Sequence, residues 1–101
     1  MKTLLIDDKR EIEATRVTRT FHEGIQALME GGWDVLYLDH DLADFTGSDL
    51  VRRPENKKEW TGYDVMCWLE EFPQYLPAHI EIVSSNPVGV DRIRQVIKKL
   101  Y

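Results

Sequence analysis

The chain has 101 residues, 43% of them hydrophobic and 31% charged, with 13 Lys and Arg against 18 Asp and Glu for a net charge of −5. That length suits one domain over 1–101, the apolar share excludes a disordered chain, and the acidic balance argues against a nucleic-acid coat or an anionic membrane as partner. No run approaches the ~20 apolar residues that cross a bilayer, the start Met1-Lys2-Thr3-Leu4-Leu5-Ile6-Asp7-Asp8 turns acidic too early for a signal peptide, and the single cysteine, Cys67, excludes an internal disulfide or a cysteine-based zinc site; a cytoplasmic protein is the expectation.

Thr3 to Ile6 is a short apolar run ending at Asp7 and Asp8, the pattern of a strand buried on both faces. Arg16 to Thr20 alternates polar and β-branched residues and reads as an edge strand. Thr20 with Glu23 fits a capping box, Phe21, Ile25, Leu28 and Met29 recur at helical spacing, and Gly31-Gly32 stops the helix. Val35 to Leu38 is a third strand, ending in Asp39-His40-Asp41. Leu42 to Trp60 reads as a long polar loop, and its Arg52, Arg53, Lys57 and Lys58 make it a candidate lid over an anionic ligand. Thr61 and Asp64 cap a helix with Val65, Trp68, Leu69 and Phe72 on its buried face. Ile80 to Val83 is a fourth strand, followed by Ser84-Ser85-Asn86-Pro87. Asn86 is placed as N-cap and Pro87 at the first position of the last helix, whose apolar face is Ile93, Val96, Ile97 and Leu100.

Strands alternating with helices indicate an α/β layer fold with parallel pairing. The link from Asp7 to Thr15 is too short for a full crossover helix. Extended, it reaches roughly 26 Å, enough to return past a strand. With strand order 2-1-3-4, the first and third strands flank the point where the order reverses, and ligands bind there beyond the strands' carboxyl ends. Asp7, Asp8, Asp39 and Asp41 then converge. Such charges repel unless a cation neutralises them or some are protonated, and oxygen-only ligands suit Mg²⁺, Mn²⁺ or Ca²⁺. The plainer alternative for each aspartate is an ordinary turn or cap residue.

His40 is open to three roles: metal ligand, acid–base group, or a strand-end side chain turned away from its neighbours. Arg10 lies close enough to the acidic pair to reach a phosphate or clamp an aspartate. Asn86 and Gly89 open a helix whose exposed N–H groups attract an anion. His22, His79, Cys67, Trp33 and Trp68 read as structural. Trp60 reads as core or as a stacking surface.

The segments Leu5-Ile6-Asp7-Asp8 with Arg10, Leu38-Asp39-His40-Asp41-Leu42, Thr61-Gly62-Tyr63-Asp64 and Ser84-Ser85-Asn86-Pro87-Val88-Gly89 together resemble the cyclic-phosphate-processing receiver-like domains, compact relatives of response-regulator receivers. The resemblance implies a receiver-like, flavodoxin-like three-layer fold with a short, mostly parallel four-stranded sheet. It implies a Mg²⁺ or Mn²⁺ site using Asp7 and Asp8, Asp39 in the phosphate-acceptor position, and Ser84 as the hydroxyl ending the fourth strand. The expected ligand is a small phosphorylated or cyclic-phosphate compound, with nucleic acid entering only as an RNA end or a cyclic nucleotide. Two departures stand out: no lysine-bearing fifth strand, and Val83 where the family motif has a histidine before the serine. The functional expectation is a metal-dependent phosphoesterase. The alternative is a non-catalytic phosphate-binding or signalling module.

Overall fold

The computed structural model describes residues 1–44 and 60–101. In chain order these form β1 (Thr3–Ile6), β2 (Arg16–Thr18), α1 (Phe21–Glu30), β3 (Val35–Leu38), β4 (Asp41–Asp44), β5 (Trp60–Thr61), α2 (Gly62–Glu71), a 3-10 turn (Pro73–Tyr75), β6 (His79–Ile82) and α3 (Pro87–Leu100). The main sheet has four strands in the order β2-β1-β3-β6, and each pairing is parallel. This is the expected receiver-like α/β order, including the parallel β2 reached without a helix.

Side-chain alternation sorts the sheet into two faces. Leu4, Ile6, Leu36, Leu38 and Ile80 share one core with Phe21, Ala27 and Leu28 of α1, Val65, Met66 and Leu69 of α2, and Ile93 and Val96 of α3. All three helices therefore cover the same face. Leu5 points the other way, yet it is 0% exposed. The strand order accounts for this. A right-handed link from β1 to β2 runs in the opposite direction from the links that lead on to β3 and β6, so it crosses the opposite face. The β1–β2 connection holds no helix, so the described residues place no helix on that second face.

The helix ends follow the sequence signals. Thr20 accepts from Glu23 N–H, but the Glu23 carboxylate accepts from Arg19 N–H rather than closing the expected capping box; Asn86 accepts from Gly89 N–H, and Thr61 and Asp64 form a reciprocal capping box. Gly31 and Gly32 both sit at φ 76, the left-handed region in which glycine is least strained. Two core expectations shift. Met29 is 48% and Phe72 37% exposed, because each lies at the margin of its helix's apolar stripe.

The expected loop from Leu42 to Trp60 is corrected at both ends. Asp41–Asp44 is a strand paired antiparallel with Trp60–Thr61 in a separate two-stranded sheet. Leu42, 1% exposed, anchors it in the core, and Trp60 stacks on Phe21 with ring centroids 4.5 Å apart. Residues 45–59, with Arg52, Arg53, Lys57 and Lys58 and the lid expectation, lie outside the described residues. Among the described residues no helix is long and apolar enough to cross a membrane.

Candidate functional site

Because β1 and β3 are parallel neighbours, Asp7 and Asp39 leave the sheet side by side. The ladder continues to that point, with Asp7 N–H donating to Thr18 O at 3.1 Å and Asp39 N–H to Ile6 O at 3.1 Å. One carboxylate oxygen from each of Asp7, Asp8 and Asp39 lies within 4.8 Å of the others, a spacing that a single cation can bridge. Asp7 is 1% and Asp39 7% exposed.

The two buried carboxylates are held differently. Asp7 Oδ1 accepts from the N–H of Lys9 and of Arg10, both at 3.0 Å, and Oδ2 accepts from Arg10 Nε at 3.0 Å. Burial pushes its pKa up, but these bonds and the guanidinium charge outweigh burial and hold Asp7 below the usual value. Asp39 goes the other way. Burial raises its pKa and the neighbouring Asp7 charge raises it further, while the Ser84 hydroxyl and the Asp41 N–H only partly oppose the rise. Asp8 Oδ1 is buried with no hydrogen-bond partner among the described residues. An orphaned buried carboxylate oxygen is costly unless something positive meets it.

These shifts set a pH dependence in the presence of a chelator. A carboxyl with a raised folded pKa contributes stability that is full below its unfolded value, near 3.8, and lost as pH rises through the folded value. Asp7 contributes stability above its unfolded value that is lost as pH falls through its lowered folded value. Asp39→Asn is therefore expected to stabilise the chelated protein at neutral pH by about 1 kcal/mol and to flatten its stability profile above pH ~4. Urea unfolding across a pH series reads this directly, and a destabilised Asp39→Asn protein at neutral pH would contradict the repulsion.

Asp41 is not in the three-carboxylate group. The chain turns into β4 there, and Asp41 Oδ1 meets His40 Nδ1 at 2.8 Å while Asn86 Nδ2 donates to both carboxylate oxygens at 3.3 Å. His40 is turned toward α3. A Cβ on Gly89 would lie 2.3 Å from His40 Cγ, so the ring rests directly on the glycine backbone. The start of α3 is tied in as well: Asn86 N–H donates to Ser84 Oγ at 3.1 Å, and Gly89 N–H to Asn86 Oδ1 at 3.1 Å. Ser84, Asn86, Gly89, His40 and Asp41 thus form one connected rim beside Asp39, with the positive end of the α3 dipole at its edge.

Two further residues position the site through backbone contacts that the sequence reading does not assign to them. Gly62 N–H donates to His40 O at 2.8 Å, and a Cβ there would sit 2.1 Å from Asp39 O, so α2 is seated against the β3 terminus. Arg19 Nη1 donates to the carbonyls of Asp7, at 3.2 Å, and of Arg10, at 2.9 Å, bracing the loop that carries the acidic pair. The Thr-Gly pair before an apolar helix is a faint signal for Gly62. Nothing in the sequence pattern marks Arg19.

A parallel β2-β1-β3-β6 sheet with acids from β1 and β3 converging beyond its carboxyl end defines a receiver-class α/β protein. Within that class the chain belongs to the cyclic-phosphate processing receiver domains, whose family model matches residues 2–99. No curated protein and no solved structure matches the chain.

Proposed function

We propose that this chain is a divalent-metal-dependent phosphoesterase acting on a cyclic or otherwise esterified, nucleotide-like phosphate. One observation carries the reading. Three carboxylates converge within 4.8 Å, and one of their buried oxygens has no partner among the described residues. That donor set is all oxygen, which fits Mg²⁺ or Mn²⁺ held by Asp7, Asp8 and Asp39. Such an ion, when bound, supplies positive charge against a phosphoryl oxygen and relieves the repulsion at Asp39.

The remaining work falls to the chain's own side chains. Arg10 uses Nε on Asp7, which leaves its other guanidinium N–H groups to take a phosphate oxygen. The Ser84 hydroxyl is already donated to Asp39, so it positions that carboxylate, and the positive end of the α3 dipole is what favours a phosphate oxygen beside it. With Nδ1–H donated to Asp41, His40 presents Nε2 as the atom that accepts a proton from attacking water. Asp41 and Asn86 fix that ring, and Gly89 gives it room.

The test is a screen of the protein against 2′,3′-cyclic, 3′,5′-cyclic and ADP-ribose-type phosphates, with and without Mg²⁺ or Mn²⁺. Slow hydrolysis of one class is expected, abolished in Asp39→Asn and slowed about 100-fold in His40→Ala. Acetyl phosphate is expected to leave no persistent phosphoryl adduct on Asp39 by mass spectrometry. A lasting adduct would instead assign a phosphorylation switch. Neither adduct nor turnover would leave a non-catalytic phosphate-binding module.

A further inference from the structure

The first turns of α2 and α3 both abut the candidate site, through Gly62 against the Asp39 backbone and Gly89 against the His40 ring. Between the two helices runs a cleft of about 470 Å³ lined by Tyr63, Arg92, Gln95, Val96 and Lys99. Spacing explains its course. On α3, Gly89, Arg92, Val96 and Lys99 fall on one stripe at intervals of three and four residues, as Tyr63, Cys67 and Glu70 do on α2. The stripes meet at the far end, where Lys99 Nζ and Glu70 Oε2 pair at 2.6 Å. Nearer the site, the Arg92 guanidinium sits over the Tyr63 ring, 5.7 Å from its centroid.

The charges in this cleft are unequal. Lys99 is matched by Glu70, whereas Arg92 has no carboxylate partner among the described residues and is held only over an aromatic face. Arg92 follows Gly89 by one helical turn, an axial rise of about 4.5 Å. A polar cleft of ligand size, with an uncompensated guanidinium one turn from His40, is placed to take a part of the substrate that does not react. Its chemistry selects an anion that can accept from the planar N–H fork.

We infer that the α2–α3 cleft binds a second phosphate of the substrate, held by Arg92 beside Tyr63, so that the favoured ligand is a cyclic phosphate carrying a further phosphate. The substrate part of this inference rests on the phosphoesterase reading above. The anion site itself does not.

Two arms separate them. In the first, inorganic pyrophosphate is titrated into ¹⁵N-labelled protein with divalent ions chelated. Saturable amide shifts are expected at Tyr63, Arg92 and Gln95, retained in Asp39→Asn, partly kept in Arg92→Lys, and weakened about tenfold in Arg92→Gln. Absence of saturable shifts at those residues, or equal affinity in Arg92→Gln, overturns the anion site. In the second arm, adenosine 2′,3′-cyclic phosphate is compared with its 5′-phosphorylated form in the presence of Mg²⁺. The 5′-phosphorylated compound is expected to have a kcat/KM about tenfold higher, and Arg92→Gln erases the preference. Equal kcat/KM for the two compounds overturns the substrate assignment. Pyrophosphate binding in the cleft with no hydrolysis of either compound upholds the anion site and overturns the substrate assignment; only failure across the wider screen overturns the phosphoesterase reading.

Discussion

Mg²⁺ or Mn²⁺ at a hundredfold excess over its Kd is expected to raise the Tm of the protein by about 10–20 °C. An ion that binds only the folded state at that excess contributes about 2.7 kcal/mol, and a chain of roughly this size moves about 4–8 °C per kcal/mol. The gain has a specific source. Asp7, Asp8 and Asp39 place three oxygens within 4.8 Å, and among the described residues only Asp7 has its charge met by a guanidinium. Asp39→Asn should lose most of the gain, yet melt above wild type in chelator, because it removes the repulsion that Asp39 suffers from Asp7. Asp7→Asn should also lose the gain but melt below wild type in chelator, because Asp7 anchors Lys9, Arg10 and the whole turn after β1. Differential scanning calorimetry of the three proteins with Mg²⁺, Mn²⁺ or chelator reads both signs. A wild-type Tm that ignores millimolar Mg²⁺ and Mn²⁺ would count against the cation site.

The second large effect is expected at Gly62. A methyl group there meets the Asp39 carbonyl oxygen at 2.1 Å and its carbon at 2.9 Å, both backbone atoms that cannot rotate aside. Gly62→Ala must push α2 away from the end of β3, which breaks the Gly62 N–H bond to His40 O and moves the core residues Val65, Met66 and Leu69. The expected cost is about 3 kcal/mol or more, a fall in Tm of at least 12 °C. The displaced strand end should also weaken the response to Mg²⁺. Gly31→Ala is the control: its Cβ meets nothing within 4 Å, so only the positive φ of 76 opposes it. With ψ at 175 that conformation is open almost only to glycine, and its cost is about 1–3 kcal/mol, below that of the Gly62 clash. Equal Tm values for the two variants would refute the close approach.

Several parts of this arrangement are readable before any coordinates. Apolar runs that stop abruptly at acids locate the ends of β1 and β3, and the alternation of strands with helices makes them parallel neighbours. Caps are equally plain, since Thr61, Asp64, Asn86 and Pro87 act within one turn of themselves. The hairpin of β4 and β5 is not legible, because its four- and two-residue strands are separated by a long stretch of chain and too short to show alternation, although they pair Asp41 with Thr61 and Asp44 with Trp60. The placement of Asp41 is hidden for a related reason. Period-two alternation puts it on the side of Asp39, but β3 ends at Leu38 and the chain redirects Asp41 to His40 and Asn86. Arg19 and Gly62 act on backbone atoms distant in sequence, and no local pattern encodes such contacts. The single helical face follows from the short β1–β2 link, which leaves too few residues for a helix on the other side.

The central claim, that the pocket at the ends of β1 and β3 processes a phosphate ester, is tested most directly by ³¹P NMR of the protein with Mg²⁺ and each cyclic phosphate in turn. At least one cyclic-phosphate resonance is expected to convert to a phosphomonoester, chelation is expected to stop the conversion, and Asp39→Asn is expected not to support it. Unchanged cyclic-phosphate resonances across the whole set, in protein whose Tm responds to Mg²⁺, would contradict it.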